Sequence, residues 1–83
     1  MTLGTLKPGD TGVIESLICT GLTRRRFLDI GLVPGTEITA ILESFGGDPI
    51  SYCVKETHLA IRKKDAENII IKQLKRNIRD KKE

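Results

Sequence analysis

Few residues of this chain have the types and spacing to do chemistry. They are three consecutive arginines, Arg24, Arg25 and Arg26, the two cysteines Cys19 and Cys53, and the single histidine His58. A guanidinium carries five donors on a packable stem, which suits an acidic or carboxylate-bearing partner. Successive helical residues point about 100° apart, so three adjacent arginines on a helix do not make one flat patch. The cysteines and the histidine are the only soft or borderline metal ligands, and their spacing matches no zinc or iron–sulfur signature. His58 follows Glu56 and Thr57, and nothing in the sequence sets a nucleophile and an orienting acid beside it. Neither GxxxxGK[ST] nor GxGxxG occurs, so there is no phosphate-binding loop. These residues predict no catalytic site, no cofactor and no metal site. Both cysteines, set in apolar strand-like runs, read as small buried hydrophobes.

Charge narrows the partners. The 83 residues carry a formal charge of +3, but its distribution is uneven. Lys72 to Glu83 holds six basic and two acidic residues, whereas Met1 to Ile71 holds eight basic and nine acidic ones. The body is near neutral and the basic character sits at the end, which disfavours a general nucleic-acid surface. No apolar run approaches the roughly 20 residues that span a bilayer, and the first residues do not read as a secretory signal. A cytoplasmic location is the expectation.

The elements that must position the arginines are mostly strands. Five candidates are Thr11–Ile18, Thr36–Phe45, Pro49–Lys55, His58–Arg62 and Asn68–Leu74. Alternation places Ile38, Ala40 and Leu42 on one face of the second, and Ile50, Tyr52 and Val54 on one face of the third. Pro8-Gly9 and Pro34-Gly35 each precede a strand and read as type II turns. Gly46–Asp48 and Lys55–His58 read as hairpin connections, and Lys63–Glu67 as one helical turn. A single short helix is expected over Arg24–Ile30, with Thr23 as N-cap and Gly31 at the left-handed C′ position. Phe27, Leu28 and Leu32 would then face the core. The pattern predicts a mostly β fold: a small, SH3-like, five-stranded, partly open barrel with one short helix between strands 1 and 2. An OB-fold is the nearest competitor, but it would place its helix later in the chain. Residues 1–74 form the expected domain, and 75–83 a basic tail, helical or disordered.

The segments "LKPGDTGVI", "GLTRRRFLDIGLVPGTEI" and "GGDPISYCVKETHLAIRKKDAENIII", in that order, resemble the ferrous-iron transport protein A family (FeoA). The matching pieces are Leu6–Gly9, Arg26–Gly35, Gly47–Pro49 and Ile61–Ala66, and the likeness runs from about residue 3 to 74. Phe27 stands where the family often has leucine, and Ala60-Ile61-Arg62 replaces its usual Ala-Leu-Arg. Both exchanges keep the apolar character. The resemblance implies a non-enzymatic accessory of bacterial ferrous-iron uptake, acting at the cytosolic GTP-binding part of the large membrane transporter FeoB. A related domain occurs in metal-responsive repressors, but this chain has no room for a winged helix.

On this reading the partner surface is the helix and its exit: Arg24, Arg25 and Arg26, with Leu32 and Val33 lining the rim of a groove. Arginine is enriched at interface hot spots. Proline-rich peptide binding, the familiar task of SH3 barrels, needs an aromatic groove, and Phe27, Phe45 and Tyr52 without tryptophan are thin for it. The alternative function is a small RNA- or ribosome-associated β-barrel protein, for which stacking aromatics are scarce. A homodimer through the tail or an open barrel edge is a further expectation.

Overall fold

A computed structural model describes residues 1–75, and the expected tail beyond Lys75 lies outside the described residues. Five strands form one antiparallel sheet: β1 (Thr11–Leu17), β2 (Glu37–Glu43), β3 (Ile50–Val54), β4 (Thr57–Ile61) and β5 (Ile69–Lys75). Their order is β4-β3-β2-β1-β5, so the first strand lies between the second and the last. No pairing joins β4 to β5, which leaves the barrel partly open. Two helices interrupt the strands, α1 (Gly21–Asp29) between β1 and β2 and the single turn α2 (Lys63–Ala66) between β4 and β5.

The two Pro-Gly turns staple the centre of the sheet. Asp10 N–H donates to the Lys7 carbonyl at 2.8 Å and Thr36 N–H to the Val33 carbonyl at 3.1 Å. Gly9 and Gly35 both stand at φ 94°, the left-handed position a type II turn requires. Each turn then grips the strand that the other leads into. Gly9 N–H donates to Ala40 of β2 at 2.7 Å, and Gly35 N–H donates to Ile14 of β1 at 2.8 Å. The repeated device is thus a reciprocal clasp between β1 and β2. Gly12 serves a different need, since a Cβ there would lie 2.8 Å from Ile71 Cδ1 and 3.2 Å from the Lys72 carbonyl oxygen. Any side chain at this position would push β5 away from β1.

Ile50, Tyr52 and Val54 all face the core, as alternation requires. In β2 the alternation breaks. Ile38 and Ala40 are buried, but Leu42 is 56% exposed. The register against β3 shifts between Ala40 and Leu42, and this irregularity turns the following side chain outward. The expected Ile38–Ala40–Leu42 face therefore stops at Ala40. The strap before β1 adds an unexpected layer to the core. A 3₁₀ turn over Leu3–Thr5 buries Leu3, Leu6 is buried beside it, and Ile71 N–H donates to the Met1 carbonyl at 2.8 Å.

Helix α1 begins earlier than expected. Its N-cap is Thr20, in extended conformation, and Thr23 lies inside the helix. Its end follows the sequence closely. Leu32 N–H donates to the Phe27 carbonyl at 2.9 Å and Gly31 N–H to the Leu28 carbonyl at 3.1 Å. That pair of bonds, with Gly31 at φ 104°, is a Schellman cap. The β3–β4 hairpin closes through Lys55 and Glu56 alone, at φ 50° and 69°, because Val54 pairs directly with Thr57. Two left-handed central residues give the turn the twist that antiparallel strands need.

Candidate docking surfaces around helix α1

Helix α1 packs Phe27 into the core and rests half-buried Leu28 against it, which fixes the directions of the remaining side chains. Arg24, Arg25, Arg26 and Asp29 are exposed, and Leu22 is 80% exposed at the start of the helix. The structure sets Arg26 apart from Arg24 and Arg25, so the three do not form one flat patch. Arg24 and Arg25 line one groove of about 350 Å³ with Gly21, Leu28 and Asp29. Arg26 lines another, of about 330 Å³, with Phe27, Ile30, Ala60, Ile61, Arg62 and Asp65. A carboxylate, Asp29 or Asp65, accompanies the guanidinium groups in each groove, so among the described residues these arginines form no continuous stripe of the kind a nucleic-acid backbone follows.

Arg24 is also a structural residue. Its Nη1 donates to the Leu17 carbonyl at 3.0 Å and ties the helix to the end of β1. Arg25 has no such bond among those formed by the described residues, which makes it the cleaner candidate for contact with a partner. Leu32 does not belong to the surface. It is fully buried beside Phe27, because the Schellman cap folds the residue after Gly31 back over the last turn. Val33 is half-buried at the turn into β2. Leu22, which sequence reasoning passed over, replaces Leu32 as the apolar member of the α1 face. It joins that face because the helix starts at Gly21 rather than Arg24, and no local signal in the sequence marks that start.

Cys19 follows β1 and packs partly against the core, whereas Cys53 is half-buried on the side of β3 away from Tyr52. Both cysteines are half-buried, so the expectation of fully buried cysteines is corrected: Cys19 lies just past the end of β1, and alternation turns Cys53 away from the core face of β3. Directly across the β3–β4 pair from Cys53 stands the exposed His58. Among the described residues no group of three or more His, Cys, Asp or Glu side chains is placed to hold a metal ion.

Among the described residues one ionisable group is strongly perturbed. Burial raises the Tyr52 phenol from 10.0 to about 12, and the nearby negative charge of Glu43 pushes in the same direction. The folded state therefore keeps a proton that the unfolded state releases from pH 10 upward. Stability should be insensitive to Tyr52 below pH 10 and fall as the pH rises towards about 12. Tyr52 is the sole tyrosine, so tyrosinate absorbance reads it directly. A midpoint near 10 in the folded protein would contradict its burial.

The FeoA domain model matches residues 1–73 of this chain. A Fe(2+) transport protein A/Fe(2+) transporter FeoB fusion protein of Porphyromonas gingivalis is 31% identical over 77 residues, covering 93% of this chain and 9% of that protein. The chain thus corresponds to a small part of that relative's length. The solution structure of a FeoA protein from Chlorobium tepidum is 34% identical, with a TM-score of 0.84, covering 89% of this chain and 70% of that one. The crystal structure of Stenotrophomonas maltophilia FeoA, described as a prokaryotic SH3 domain protein in complex with zinc, is 28% identical. It gives a TM-score of 0.81 over 92% of this chain and 98% of that one. The five-stranded sheet is accordingly SH3-like, as its topology suggested.

Proposed function

The chain belongs to the FeoA family, associated with ferrous iron transport, and on that premise we propose that it is a non-enzymatic cytoplasmic accessory of bacterial ferrous-iron uptake. It docks through the α1 face on the cytosolic GTP-binding part of a FeoB-type transporter and modulates its assembly or nucleotide cycle. The observation that carries this reading is the covalent union of the two partners in the Porphyromonas gingivalis relative. A fused pair meets at high effective concentration, so separate chains of the same kind need a surface that finds the partner unaided. The α1 face has the composition for that task. Leu22 offers exposed apolar area, Arg25 offers donors, and no helix among the described residues is long and apolar enough to cross a membrane. Ferrous iron is the transporter's cargo, and the accessory acts without a metal of its own.

Calorimetric titration of the chain into the transporter's cytosolic portion tests the reading. Binding should be measurable and should weaken as salt rises through about 0.1–0.3 M, because exposed guanidinium contacts are screened beyond about 10 Å at 0.1 M. Absence of binding at low salt would remove the proposal.

A further inference from the structure

The β2–β3 tip and the second groove are complementary and adjacent. Phe45 stands at the tip fully exposed, beside Gly46 and Gly47, in a segment that carries Glu43 and Asp48, with the Lys63 ammonium near Gly47. A phenyl ring left entirely in water is an anchor seeking a seat, since buried aromatics dominate interface energetics. The groove of about 330 Å³ is lined by the apolar Phe27, Ile30, Ala60 and Ile61 together with Arg26, Arg62 and Asp65. A cavity of about 150 Å³ already admits benzene, so the groove has room for the ring. Arg26 and Arg62 outnumber Asp65 in the groove, whereas Glu43 and Asp48 outnumber Lys63 at the tip, so the two surfaces carry opposite net charge.

The two features also lie on one side of the molecule. Lys63 N–H donates to Asp48 Oδ1 at 3.0 Å, which fastens the tip to the first residue of α2. Lys63 directly follows Arg62, a wall of the groove. Because Phe45 is fully exposed, it does not occupy the groove of its own chain. A knob and a seat set side by side on one surface suit a two-fold arrangement, in which each copy gives its knob and receives its partner's.

We propose that this protein forms a closed two-fold dimer in which Phe45 of each copy enters the Arg26–Arg62 groove of the other. The surface is distinct from the Arg24–Arg25 groove, so the proposal does not rest on transporter docking. Two phenyl rings and their borders bury less than a standard interface, so the dimer is weak and forms in the range of about 0.1 mM.

Sedimentation equilibrium of the full chain from about 10 µM to 1 mM should show the mass rising from monomer towards dimer. Phe45→Asp and the groove-filling Ala60→Trp should each weaken association by about a hundredfold or more, since every dimer loses both knob-in-groove contacts. Both positions are exposed, so the thermal midpoint should hold. An equimolar mixture of the two variants retains one intact knob and seat, and should associate more strongly than either variant alone. A wild-type chain that stays monomeric at about 1 mM would overturn the proposal. So would a Phe45→Asp variant that dimerises like wild type, a mixture no stronger than its components, or association that continues past the dimer.

Discussion

Leu32→Ala is expected to destabilise the domain by about 3 kcal/mol and lower its thermal midpoint by about 12–24 °C. Leu32 is fully buried and belongs to the same core cluster as Phe27, Ile14 and Ile38. Its backbone N–H also closes the Schellman cap on the Phe27 carbonyl, which fixes where the chain leaves α1. The alanine variant keeps that bond and loses the side chain, so the loss reads apolar burial and the cavity left behind. Buried leucines truncated to alanine cost about 2–5 kcal/mol, a large share of what holds a domain this small. Chemical denaturation would show the loss. A change below about 1 kcal/mol would mean that Leu32 is accessible after all, and would restore it to the partner surface.

Arg25→Glu should do the reverse. It is expected to weaken binding to the transporter's cytosolic portion by tenfold or more, about 1.4 kcal/mol, with stability changed by less than about 0.5 kcal/mol. Arg25 is exposed at the mouth of the Arg24–Arg25 groove, so reversing its charge alters the surface and leaves the core intact. Arg24→Glu is not an equivalent control, because it also removes the 3.0 Å bond to the Leu17 carbonyl. That variant should lose both affinity and about 1 kcal/mol of stability. If Arg25→Glu unfolds the domain, or binds as wild type does, the α1 face is not the docking surface.

Much of the fold was legible because the strands advertise themselves locally. Alternation, β-branched residues and Pro-Gly turns act over a few positions, and all five strands fall where these signals put them. The C-terminal end of α1 was equally legible, since Gly31 followed by Leu32 encodes a Schellman cap. Its start was not, because Thr20 and Thr23 are both acceptable N-caps and Gly21-Leu22 carries no decisive preference. The outward turn of Leu42 was hidden for a similar reason. Ile41 and Leu42 are both apolar, and no residue type at that point marks the shift in register. The strap of Leu3 and Leu6 owes its burial to β5 and α2, which no local pattern near the N-terminus announces.

The candidate surfaces were legible only in part. That three successive arginines cannot share one flat patch follows from the helical step. That Arg26 meets Arg62, while Arg24 reaches back to β1, depends on how the sheet curls around the helix. The family motif residues Arg26 and Arg62 converge on one groove, whereas Arg24 and Arg25 line the other.

The central claim is that this FeoA-family domain meets its transporter through the outer face of α1, and residue-resolved NMR mapping tests it most directly. The isotope-labelled chain would be titrated with the unlabelled cytosolic portion of the transporter. Perturbations concentrated on Leu22, Arg24, Arg25, Leu28 and Asp29, absent from Arg25→Glu, are the predicted result. Perturbations centred on another face with α1 silent, or no perturbation at saturating transporter, would contradict the claim.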